Sequence, residues 1–69
     1  MEFKVGDLVA AEKWTRHGIV FSLGMIVDTK TRSWKIEWYG FDIENTWYTG
    51  NDIHFFRENY MRLKKKLNL

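Results

Sequence analysis

Between Ser33 and Tyr48 the chain repeats large apolar side chains on a two-residue period: Trp34, Ile36 and Trp38 alternate with Lys35 and Glu37. Consecutive side chains of a strand point to opposite faces, so this spacing makes a strand with one apolar face and one wet face. A turn-like Tyr39-Gly40-Phe41-Asp42 follows. Beyond it, Trp47 and Tyr48 supply a neighbouring strand to pack on the first. A short chain with this centre folds around a sheet.

The length of 69 residues allows one domain. A chain of this size buries only about 60% of the surface its unfolded form exposes, so its core must be efficient. Aromatic residues, 17% of the chain, provide that efficiency, since each ring buries roughly 150–250 Å². With no cysteine in the sequence, disulfides, thiolate metal sites and cysteine nucleophiles are excluded. No apolar run approaches the roughly 20 residues that span a bilayer, and Met1-Glu2-Phe3-Lys4 does not have the form of a signal peptide. These features lead us to expect a soluble, cytoplasmic protein without membrane contact.

The net charge is +2, but Arg62, Lys64, Lys65 and Lys66 hold four of the eleven cationic groups. Residues 1–61 hold seven Lys or Arg against all nine Asp or Glu, a balance of −2. The expected organisation is therefore a mildly acidic domain over residues 1–63 and a basic tail over residues 64–69.

Along the chain, Gly6-Asp7 reads as a turn into a first strand over residues 8–11, with Val5, Leu8 and Val9 as core candidates. Residues 12–22 have no clean period and are expected to form a long loop. Residues 23–28 are almost continuously apolar, which suits a strand covered on both faces or sharply bent, with Gly24 marking the bend. The polar residues 29–32 suit a hairpin connection to a strand over residues 33–39, and residues 44–48 suit a fourth strand. The last third supports two readings. Ile53, Phe56, Tyr60, Leu63 and Leu67 fall on a helical stripe, with Thr49, Asn51 or Asp52 as N-cap. A barrel, however, must cover its open edge, which favours a helical turn over residues 51–55 and a closing strand over residues 60–63.

The order Val5-Gly6-Asp7-Leu8-Val9, Gly24-Met25-Ile26-Val27, Trp34-Lys35-Ile36-Glu37-Trp38, then Trp47-Tyr48 and Asp52-Ile53 resembles small SH3-like barrels of the Tudor and KOW type. It is most similar to the short stand-alone barrel proteins of tailed bacteriophages, and the resemblance covers residues 4–53. It implies an all-β, SH3-like barrel of about five strands, and for a phage-encoded protein a place in the host cytoplasm. Barrels of this kind bind methylated peptides, nucleic acids or virion proteins, so the resemblance selects no ligand.

Four groups of residues bear on function. Trp14, Ile19, Val20 and Phe21 are large apolar residues in the expected loop, costly to leave in water at about 25 cal/mol per Å². They either fold back over the barrel end or meet a partner. Trp38, Tyr39, Phe41 and Asp42 are candidates for an aromatic cage around a cation, against the alternative that Trp38 belongs to the core. Arg62, Lys64, Lys65 and Lys66 are candidate phosphate contacts, or else a solubilising chain end. His17 and His54 are the only histidines and are far apart in sequence, and neither serine lies in a nucleophile elbow. A catalytic role, a metal, a cofactor and a small-molecule substrate are therefore not expected. The sequence leads to a non-enzymatic binding module that engages a protein or a second copy of itself, with nucleic acid as the alternative partner.

Overall fold

The computed structural model describes residues 3–40 and 46–68, except for the side chain of Thr46. Four antiparallel strands lie in chain order in one sheet: β1 (Leu8–Thr15), β2 (Gly18–Lys30), β3 (Ser33–Tyr39) and β4 (Thr46–Thr49). A helix, α1 (Gly50–Lys66), completes the described chain. The sheet curls into a half-barrel.

The core follows from the two-residue period and the register. Val9 pairs with Gly24, Gly24 with Trp38, and Ile26 with Ile36, which sets all five on one face. Val9, Ile26, Ile36 and Ile53 of α1 are fully buried, and Phe3 and Trp38 nearly so. Gly24 is required by space. A Cβ there would stand 2.6 Å from Trp38 Cε3 and 2.8 Å from Ile36 Cγ2, so the Trp38 indole lies flat on the backbone of β2. The register shift in β2 falls between Ile26 and Asp28, past the glycine expected to bend it. Trp38, Tyr48 and Phe56 meet edge to face, with centroids 5.0–6.2 Å apart. Such pairs add about 0.5–1.5 kcal/mol each beyond the burial itself.

The chain start is tied to the same core. Gly6, at φ 98°, turns the chain so that its N–H donates to Ile26 O, while the Ile26 N–H donates to Asp7 O. This turn leaves Val5 and Leu8 at 58% and 39% exposure, so of the three expected core residues only Val9 is internal. Phe3 fills the space instead, edge-on to Trp34, whose Nε1 donates to Phe3 O at 3.0 Å.

Three expectations are corrected. Residues 12–22 do not form a loop: β1 continues to Thr15, β2 begins at Gly18, and Arg16-His17 turns the chain between them. Gly18, at φ 113°, takes the one positive φ of that turn, while Arg16 and His17 keep negative values. The Thr15 hydroxyl links both sides, donating to Gly18 O and accepting from the His17 N–H. Nor do residues 60–63 form a strand. The helical stripe prevails, and Ile53, Phe56, Tyr60 and Leu63 turn inward on a continuous α1. The sheet therefore has four strands among the described residues rather than five. Finally, Lys64, Lys65 and Lys66 are the last turn of α1, where cations suit the carbonyl end of the helix dipole.

α1 closes the half-barrel along β1. Asn59 is fully buried, and its Nδ2 donates to the carbonyl of Ala10 at 3.2 Å. Since β1 is an edge of the sheet, this bond satisfies an acceptor that would otherwise invite another strand. Arg62, one turn on, donates to Asn59 Oδ1 and also to Glu12 Oε2 at 3.1 Å. No buried side-chain nitrogen or oxygen among the described residues lacks a partner.

Candidate functional site: the β1–β2 arm

β2 has thirteen residues and β3 only seven. The β2–β3 pairs run from Leu23 to Lys30, so among the described residues 18–22 of β2 pair with β1 alone. The two strands therefore project as a ribbon of roughly 16 Å at about 3.3 Å per residue. This arm contributes to the elongated extents of 38 × 25 × 18 Å.

The arm carries the apolar residues that the sequence singled out, and the pleat sorts them. Trp14 pairs with Ile19, and Phe21 lies two residues further on the same face; Val20 pairs with Lys13 on the opposite face. Leu23 and Tyr39, paired across β2 and β3, continue the Trp14 face into the sheet. Trp14 is the most exposed large apolar side chain described, at 74%, and Ile19, Val20, Leu23 and Tyr39 remain 38–45% exposed. They do not fold back as a lid. Among the described residues no second layer covers this two-stranded ribbon.

The other candidates separate. Trp38 is core, 7% exposed, and its Nε1 donates to the Tyr48 hydroxyl at 3.3 Å. Tyr39 follows it directly in β3 and so points to the opposite face, which rules out a cage lined by both rings. Phe41 and Asp42 lie outside the described residues. A close cation–ring contact among the described residues is elsewhere: Lys30 Nζ stands 4.3 Å from the Trp47 ring centroid. Arg62 is engaged with Asn59 and Glu12, and Lys66 Nζ lies 6.0 Å from the Phe21 ring centroid, which brings the end of α1 to the base of the arm. Lys64 lies 5.7 Å from the Tyr60 ring. Sequence reasoning missed the approach of Lys66 to the arm, since nothing before docking shows that the hairpin and the helix end meet.

His17 sits in the hairpin turn, and His54 stacks edge-on to Phe3 at 4.9 Å. The Ser22 hydroxyl donates to Tyr39 O. Among the described residues no three His, Asp or Glu side chains group as metal ligands. No helix of the described chain is long and apolar enough to cross a membrane. Comparison with family models, with curated proteins and with solved structures finds no match.

Proposed function

We propose that this protein is a non-enzymatic binding module that engages a macromolecular partner through the β1–β2 arm. The observation that carries this reading is Trp14, 74% exposed on a stretch where, among the described residues, β2 pairs with β1 alone. Contact surfaces concentrate aromatic and large apolar side chains, and a few of them supply most of the affinity. The half-barrel is compatible with the small SH3-like barrels that the sequence resembles, where a short sheet presents loops and strand ends to a partner. A protein or a second copy suits the apolar row of Trp14, Ile19, Phe21 and Leu23. A nucleic acid suits the basic end of α1. The two features adjoin, because Lys66 at the end of α1 reaches Phe21 of the arm.

The test is to replace Trp14 and Ile19 together with Ser. The pair is exposed, so the denaturant midpoint should correspond to a loss of about 0.5 kcal/mol or less. Association, read as self-association by sedimentation and as partner recovery by cross-linking in cells of origin, should weaken by ~2 kcal/mol or more. A loss of stability with association unchanged would show that the arm serves the fold alone.

A further inference from the structure

The cations of this molecule gather in space in a way the linear order hides. Residues 12–21 and 59–68, the arm and the end of α1, hold Lys13, Arg16, Arg62, Lys64, Lys65 and Lys66 against Glu12 alone, net +5. The other described residues hold five Lys or Arg against five Asp or Glu and balance; Glu2, Asp42 and Glu44 lie outside the described residues. Docking brings the two basic segments together. Asn59 meets Ala10, Arg62 meets Glu12, and Lys66 reaches Phe21. Arg16 lies beyond Glu12–Phe21 by the pairs Lys13–Val20, Trp14–Ile19 and Thr15–Gly18. That is roughly 13 Å along the ribbon, beyond the Debye length of about 8 Å at physiological salt, so Arg16 is a separate contact further along the path of one phosphate backbone. Glu12, the carboxylate within these two segments, is matched by Arg62 at 3.1 Å.

The chemistry of these cations selects the partner. Four of the six are lysines, and lysine is depleted from protein–protein contact surfaces, where its strongly hydrated ammonium is costly to dry. Phosphates accept lysine at a wet surface and release counterions in return. A freely standing aromatic ring beside phosphate-binding cations is what an unpaired base stacks on. We infer, on the reading that the arm is the contact surface, that the arm pole binds single-stranded nucleic acid. Arg16, Lys64, Lys65 and Lys66 take phosphates, and the Trp14 indole stacks on a base.

Fluorescence anisotropy of the full chain tests this with three labelled probes of about 16 nucleotides: oligothymidylate, an abasic strand of the same length, and a duplex. Oligothymidylate should bind more tightly than ~10⁻⁵ M at about 50 mM salt and weaken roughly fifty-fold by about 200 mM, since four phosphate contacts give a log–log slope near −2.8. Trp14→Ala should weaken oligothymidylate binding about ten-fold and leave the abasic strand unchanged. Changing Lys64, Lys65 and Lys66 to Gln should reduce the slope by about 2. Equal affinity for the abasic strand, an equal or tighter hold on the duplex, or displacement by polyglutamate at equal charge would each overturn the inference, the last assigning the pole to an acidic protein. If no probe binds while the Trp14/Ile19 variant still loses association, the nucleic-acid inference falls and the arm reading stands. If oligothymidylate binds and Trp14→Ala changes nothing, both fall.

Discussion

Gly24 shows how tightly single positions are specified. Its missing Cβ would meet Trp38 Cε3 at 2.6 Å and Ile36 Cγ2 at 2.8 Å, and neither neighbour can yield. Ile36 is fully buried, and the Trp38 ring is held by Phe56 and Tyr48 at 5.1 and 6.2 Å. Gly24→Ala should therefore destabilise by about 1–3 kcal/mol, the usual cost of overfilling a packed core. Urea denaturation checks this, and a change under ~0.5 kcal/mol would mean that the indole is free to shift. The sequence marked Ile36 and Trp38 as core because they alternate with charged residues, a signal one strand carries alone. It could not identify Gly24 as a seat for an indole, because that role depends on the pairing of two strands.

Periodicity is readable in an element only when one side of it is dry. β3 alternates cleanly because its apolar face is covered by the core and α1. Residues 12–22 lack a period because residues 13–20 are exposed on both faces of the ribbon, so the lack of pattern suggested a loop where a strand pair stands. The last third was ambiguous for another reason. An edge strand needs closing, and a fifth strand and a helix with one well-placed amide both meet that need. Asn59 decides it, since its side chain reaches the Ala10 carbonyl from inside a helix. Asn59→Ala should strip that buried acceptor of its partner at a cost of about 1–3 kcal/mol. Amide exchange of β1 and α1 should rise together, as in a shared cooperative unit. If α1 loosens while β1 keeps its protection, the helix is not what closes the edge.

At the scale of the whole molecule, the core and the proposed contact surface lie apart. Phe3, Val9, Ile26, Ile36, Trp38 and Ile53 form the core on one side of the Glu12–Phe21 pair, and the exposed Trp14–Ile19 pair lies on the other. The overall charge of +2 conceals a basic pole made of the arm and the end of α1, legible only after α1 is docked. If core and arm are independent, the arm is removable. Deleting residues 13–20 and joining Glu12 to Phe21 through Asn-Gly supplies a two-residue turn whose twist suits the flanking strands. None of the fully buried side chains is touched by this change. The shortened protein should keep its circular dichroism and lose no more than about 1 kcal/mol of stability, while binding at the arm disappears. Failure of the shortened chain to fold would mean that β1 and β2 need their full length to pair, and the arm would then belong to the scaffold.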